Sequence, residues 1–418
     1  MKKWQFGMSM LVAVAMLGAC GPDREGVVEE LEPEPATEEN KPDSLHIWVN
    51  DDERELLAYR EIGDNFEDET GIEVRITPFS MGDQLEAMSL DAPAGGGPDL
   101  FYQPNDMVGS ITLQGLAADI DLTPEQEAEY LDGTLEALSY EGELAGVPAA
   151  VETYALFYNT DIIEEAPETI EELEALGEEH TNASANEFGF LLESREMYFA
   201  YPFYDAYGGY IFAEDGEDYD TLDIGLANDG AVKGGEMLQR FHQEGYLPQN
   251  LNADILNGLF LDGSVGAVFS GPWNIAEYGE NLGDSLKSAP LPTVDGNPMR
   301  SLGGVKAWMV NGYSDHISWA TELALFMTNE ESAQIFFENK REIPARAEVT
   351  LDDELYEGFQ EQLEHAYFMP NVPEVSAVWG PMGDANVFIS QGNDVREVLE
   401  ETVELIEDEI QIMGAGRE

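Results

Sequence analysis

Apolar and polar positions follow two rhythms along the first half of the folded chain. Leu45-His46-Ile47-Trp48-Val49 is a short, mostly apolar run, the pattern of a strand covered on both faces. From Glu53 to Glu69 the rhythm lengthens. Leu56, Tyr59, Ile62 and Phe66 recur at three- and four-residue spacing, which predicts a helix with one buried face. Thr70-Gly71 ends it, and Ile72, Val74 and Ile76 then alternate as a strand. Pro98-Asp99-Leu100-Phe101-Tyr102 predicts a third strand after the turn at Gly95 to Gly97. Strands separated by helices predict an α/β protein built on parallel, doubly wound sheets. Further strands are expected at Tyr154–Tyr158, Gly266–Ser270 and Lys306–Val310. Val395, Val398, Leu399, Val403, Ile406 and Ile410 share one face of a C-terminal helix. No internal repeat is apparent, so a solenoid is not expected.

The N-terminus follows different rules. Met1-Lys2-Lys3 is a basic start, and Phe6 to Leu17 is apolar and uncharged. Leu17-Gly18-Ala19-Cys20 follows, with small residues before the single cysteine. This is a secretory signal, too short to span a bilayer as a helix, and its end resembles a bacterial lipobox. The resemblance implies cleavage after residue 19 and lipidation of Cys20, which would tether the chain to a membrane. One cysteine also excludes an intramolecular disulfide. Residues 20–43 read as an acidic linker: six glutamates from Glu29 to Glu39 and four prolines leave almost nothing to bury. Residues 1–43 are therefore expected to lie outside the fold.

Composition adds a strong constraint. The chain has 418 residues, 43% hydrophobic and 10% aromatic, enough for one large two-lobed domain or two to three ordinary ones. It carries 18 Lys+Arg against 86 Asp+Glu, a formal net charge of −68. Such a surface repels nucleic acid and anionic headgroups, both of which are bound through Lys and Arg clusters. Self-repulsion on this scale is tolerable where salt screens it, so saline or alkaline surroundings are expected.

Catalytic signatures are scarce. There is no Gly-Lys-Ser/Thr phosphate loop, no G-x-G-x-x-G after a strand and no H-E-x-x-H. The five histidines show no metal-ligand spacing, and the run Glu214 to Asp220 does not match a calcium loop and reads as a solvated turn. No metal or other cofactor is implied. Aromatics beside turns and carboxylates are more informative: Gly271-Pro272-Trp273, Val378-Trp379-Gly380 and Glu196-Met197-Tyr198-Phe199. A sugar offers an apolar face to such rings and a rim of hydroxyls to carboxylates.

These motifs, in this order, resemble the maltose/maltodextrin-binding proteins of ABC importers, in their Gram-positive branch. The resemblance covers nearly all of residues 45–410. It rests on Ile47-Trp48-Val49-Asn50, Phe66-x-x-x-Thr70-Gly71-Ile72-x-Val74, Gly97-Pro98-Asp99, the run Gly146 to Glu152, Tyr158-Asn159, Gly271-Pro272-Trp273, the run Met369 to Pro373 and the run Ser376 to Ala385. It implies a two-lobed periplasmic-binding-protein-like fold with hinge crossovers. By analogy the first lobe is 44–150 plus 304–354 and the second 151–303 plus 355–418. A malto-oligosaccharide would be trapped between the lobes and passed to permease subunits by a monomeric, extracytoplasmic receptor.

Carried over by position, Asp52, Glu53 and Asp106 belong to the first-lobe side of the sugar site. Glu152 lies at the crossover and Glu196 in the second lobe, while Tyr198, Trp273 and Trp379 are the stacking rings; Phe199 and Tyr201 read as core. Several positions depart from the family pattern. Glu53 stands where the enterobacterial relative has lysine, Gln103 replaces a tryptophan platform with Tyr102 as a candidate substitute, and Met107 replaces an arginine. Gly380 and Gly383 replace a tyrosine and an arginine, leaving linear maltodextrin, cyclodextrin and other oligosaccharides open. Two other classes use the same residues: a glycoside hydrolase with Glu152 and Glu196 as its carboxylate pair, and a sensor subunit with a different partner.

Overall fold

In the computed structural model, residues 35–215, 218–349, 351 and 353–415 are described. The signal, Cys20 and the linker up to residue 34 lie outside them, as do Gly216 and Glu217 of the acidic run. The predicted elements are present with small shifts: strands Ser44–Val49, Glu73–Pro78 and Leu100–Pro104, and the helix Glu53–Thr70 between the first two. Asp52 caps that helix, its carboxylate accepting from the backbone N–H of Arg54 and Glu55. Gly71 ends it at φ 75°, a left-handed conformation that favours glycine.

Among the described residues these strands join a seven-stranded sheet. Its order runs Ile343–Pro344, Val147–Glu152, Leu302–Val310, Leu100–Pro104, Ser44–Val49, Glu73–Pro78, with Tyr367–Phe368 pairing off the Leu302–Val310 strand. The opening strands are parallel, as expected. Leu302–Val310 runs antiparallel to both its main neighbours, so the sheet is mixed. The pattern of strand and helix along the chain cannot reveal this, because Leu302–Val310 enters the sheet after an excursion through the other lobe.

That lobe has its own four-stranded sheet, ordered Leu286–Ala289, Ala155–Asn159, Val265–Ser270, Phe188–Leu191. Each sheet lies in its own buried core: Tyr59, Tyr102 and Trp308 anchor the first, and Phe157, Phe190 and Phe269 the second. The C-terminal helix Val395–Ala415 packs Val395, Leu399, Ile406 and Ile410 onto the second core.

The chain leaves the first sheet at Glu152, enters the second at Ala155 and returns at Leu302. The expected boundaries at 150/151 and 303/304 therefore fall inside strands, and the crossings are Thr153-Tyr154 and Ser301. These crossings touch, with a 2.7 Å hydrogen bond between Thr153 Oγ1 and Ser301 Oγ. Gln362 Nε2, in the helix Glu357–Leu363, donates to Ser301 Oγ and to the Met299 carbonyl and so fastens that helix to the second crossing.

A second expectation is corrected at the N-terminal edge. Residues 37–43, expected outside the fold, pack on the first lobe. The Trp319 indole N–H donates to the Thr37 carbonyl and Asn40 Oδ1, and the Asp43 carbonyl accepts from Glu73 N. An indole N–H seeks a partner, and this segment supplies it.

The second lobe depends on a close helix contact. A Cβ on Gly234, in the helix Asp229–Gln243, would lie 2.1 Å from the Phe203 carbonyl oxygen. Alanine in a helix is ordinarily worth about 1 kcal/mol over glycine. Here Gly234→Ala is expected to cost about 1–3 kcal/mol by forcing the helices apart. Thermal denaturation checks it: a melting temperature equal to or above wild type would contradict the packing argument.

Candidate functional site

Between the lobes lies a cleft of about 400 Å³ lined by Met81, Pro104, Asp106, Glu152, Glu196, Met197, Tyr198, Trp273, Lys306, Met369 and Trp379. Six of the eight expected sugar-site residues meet there: Asp106, Glu152, Glu196, Tyr198, Trp273 and Trp379. Both lobes and the crossing segment contribute.

Local sequence explains how each side chain arrives. Asp106 follows the strand Leu100–Pro104 in a short 3₁₀ turn. Its neighbour Asn105 fastens that turn, accepting from Val305 N and donating to the Met369 carbonyl. Glu152 ends the strand that leads to the first crossing. Glu196 precedes the helix Met197–Asp205 without its side chain capping it, which leaves the carboxylate exposed at the cleft. Trp273 depends on the residue two positions before it. A Cβ on Gly271 would lie 2.0 Å from the indole ring, so only glycine lets the ring fold back over the chain. Tyr198 packs 4.7 Å from Tyr154 and 6.4 Å from Trp273 between ring centroids, and the Tyr154 hydroxyl donates to the Tyr198 carbonyl. Trp379 lies in the first turn of the helix Ser376–Ser390, next to Gly380, whose missing side chain leaves open space.

Asp52 and Glu53 do not line the cleft, which corrects the expectation for both. Asp52 uses one oxygen to cap its helix and the other to pair with Lys340 at 2.9 Å. Burial opposes its ionisation, but Lys340 and the two backbone N–H groups outweigh this and hold the carboxyl below its ordinary value. Glu53 is exposed on the first helical turn. Gln103, at the lost tryptophan platform, is buried and donates to the Met81 carbonyl. Tyr102 cannot replace that platform: it points the opposite way, into the core against Tyr59 and Trp308.

The sequence reading missed Lys306. Its ammonium is buried, 2.8 Å from Glu152 and 3.0 Å from Glu342, and 5.6 Å from the Trp273 ring centroid. A lone lysine in the apolar run Val305 to Val310 was the available signal. Burial opposes its charge, yet the two carboxylates raise its pKa above the ordinary lysine value. Glu342, itself held low against burial by Lys306 and Lys340, links the cleft floor to a deeper cluster. Glu55 sits buried beside it with Oε1 unpartnered, its pKa pushed up to about 8 by burial and then by Glu342.

Three polar atoms around the cleft are buried without protein partners: Asp106 Oδ1, the Tyr198 hydroxyl and Trp379 Nε1. Burial, then the charge of Glu152, lifts the Asp106 carboxyl to about 7; the nearby Trp379 indole counteracts without completing a hydrogen bond. Buried polar groups ordinarily find partners, so these atoms and the adjacent rings are chemically matched to a ligand with hydroxyls and apolar faces. Among the described residues, no group of three or more histidines, cysteines or carboxylates is placed to hold a metal ion.

The model of the bacterial extracellular solute-binding proteins matches residues 61–361. The chain belongs to that family. A galactooligosaccharide-binding protein of Bacillus subtilis (strain 168) is 31% identical to this solute-binding protein, the match covering 100% of this chain and 99% of the relative. A maltodextrin-binding protein of the same organism is 32% identical over 80% of this chain and 82% of its own length. An extracellular solute-binding protein from Staphylococcus aureus, solved in complex with maltose, has 39% identity and a TM-score of 0.76, covering 89% of this chain and 99% of that one. A cyclo/maltodextrin-binding protein complexed with maltotetraose has 34% identity and a TM-score of 0.79, with 89% and 98% covered.

The raised carboxyls of this solute-binding protein make its stability fall with rising pH. Asp106 and Glu55 bind protons more tightly folded than unfolded, where 3.8 and 4.5 are ordinary. Their contribution is thus complete below those values and lost as pH rises through about 7 and about 8. The ligand-free melting temperature should drop between pH 6 and 8, and Asp106→Asn with Glu55→Gln should flatten the drop. Melting curves across that range decide it; an unchanged slope in the double variant would refute the assignment.

Proposed function

We propose that this chain is the solute receptor of an ABC importer and holds an uncharged oligosaccharide of the α-glucan type between its lobes. The observation that carries the reading is the set of unpartnered polar atoms on Asp106, Tyr198 and Trp379, placed beside the rings of Tyr198, Trp273 and Trp379. Hydroxyls would satisfy the first and pyranose faces would cover the second. The maltose- and maltotetraose-bound neighbours support the glucan choice. Hinge closure about the touching crossings would complete the cage, and the closed form would be read by permease subunits. Cys20 would hold the receptor to the membrane by its lipid, and the −68 charge fits a saline exterior.

A galacto-oligosaccharide is the second reading. The full-length match to a galactooligosaccharide-binding protein favours it, as does the loss of a first-lobe stacking ring at Gln103. Hydrolysis is not proposed, since binding alone accounts for the carboxylates and rings.

Calorimetric titration of the mature chain in about 1 M NaCl, where the screening length is roughly 3 Å, separates these readings. Maltotriose should bind with micromolar affinity and glucose should give no heat; incubation should release no reducing sugar. Binding of a β-linked galacto-oligosaccharide with silence toward maltotriose and cyclodextrin would replace the first reading with the second. In the same protein, the melting temperature should climb by about ten degrees or more from about 0.1 to 1 M NaCl as screening relieves self-repulsion. A flat response would remove the saline interpretation.

A further inference from the structure

Lys306 is the cation among the described residues that line the cleft, and the family motifs do not account for it. Its side chain rises from the first-lobe strand Leu302–Val310 at the point where the chain approaches the second lobe. An ammonium has three N–H donors. Glu152 takes one at 2.8 Å and Glu342 another at 3.0 Å. The third has no partner among the described residues. The Trp273 ring, across the cleft, stands 5.6 Å away. A pyranose stacked on Trp273 would bring its hydroxyl rim beside this ammonium.

We propose that Lys306 is a specificity-determining contact. It fixes the Glu152 carboxylate at the crossover and donates its remaining N–H to a hydroxyl oxygen of an uncharged sugar. The inference rests on the sugar reading of the cleft. Two observations separate it from a purely structural ion pair. First, a buried ion pair is seldom the most stabilising way to fill a core position, since well-packed apolar side chains do as well or better. An ammonium kept at the floor of a cleft, against a carboxylate that also faces the cleft, is better accounted for by a ligand. Second, Lys306 shares the cleft lining with Asp106, Tyr198 and Trp379, whose Oδ1, hydroxyl and Nε1 are buried without partners, so the ammonium stands among groups that a ligand would satisfy.

The test compares wild type, Glu342→Gln and Lys306→Met/Glu342→Gln in the mature chain. Glu342 does not line the cleft. The double variant removes its pair with Lys306 and also takes the ammonium from Glu152, whereas Glu342→Gln keeps Lys306 on Glu152 and controls for loss of the deeper pair alone. Titration with maltotriose and a β-linked galacto-oligosaccharide gives two affinities per protein, and a thermal melt reports folding. Glu342→Gln should bind within about threefold of wild type. The double variant should lose at least about thirtyfold for the preferred sugar, and the ratio between the two sugars should fall at least about tenfold. A structural role would weaken both sugars alike and would affect Glu342→Gln as much as the double variant. Equal losses in the two variants, or an unchanged ratio, would overturn the assignment while leaving the sugar reading intact. A folded wild type silent toward every sugar would overturn both.

Discussion

The polar seam where the chain crosses between the lobes is the constraint on which the site depends. Thr153 and Ser301 bond to each other there, Gln362 donates to Ser301, and Asn105 bridges Val305 and Met369. These buried groups are satisfied in this arrangement, and a partly satisfied network would cost more than an apolar one. The seam therefore fixes where the strand ending at Glu152 meets the strand carrying Lys306. Asp106 is held by the same Asn105 side chain. Asp106, Glu152 and Lys306 are thus placed by backbone that the seam locks, and the second-lobe rings arrive on the chain that leaves it.

The framework was legible because local rules and tertiary context agree there. Helix Glu53–Thr70 has an N-cap, an apolar stripe and a glycine stop; the strand before it is a short, mostly apolar run and the one after it alternates apolar and polar positions. What local pattern could not reveal was direction and pairing. Leu302–Val310 reads as a buried strand whichever way it runs, and only its route through the second lobe makes it antiparallel. The N-terminal segment was misjudged for a related reason: its composition predicts a solvated tether, but Trp319, nearly 280 residues later, gives it a docking point.

The site shows the same division. Trp273 and Trp379 were readable because adjacent glycines and prolines shape their surroundings. Asp52 was misleading, since a carboxylate just before a helix serves the cap whether or not a ligand is near. Tyr102 and Gln103 alternate along one strand, so the core claims one and the Met81 carbonyl the other. Lys306 escaped notice because it stood at the expected start of the strand Lys306–Val310, whereas the strand begins at Leu302 and carries the lysine in its interior. Its partners, Glu152 and Glu342, are distant in sequence.

The chain's charge gives that interior lysine more weight. Of 18 basic residues against 86 acidic ones, only seven are lysines. Two of them, Lys306 and Lys340, are buried together beneath the cleft among Asp52, Glu152 and Glu342. A surface governed by self-repulsion would be relieved by placing cations outside, where salt and water already moderate the cost. Committing two of so few to a low-dielectric interior also incurs a desolvation cost that their carboxylate partners only offset. Surface electrostatics and core stability both argue against that placement. What remains is the requirement of the cleft floor itself, where Glu152, which faces the ligand space, is held in position by the Lys306 ammonium 2.8 Å away.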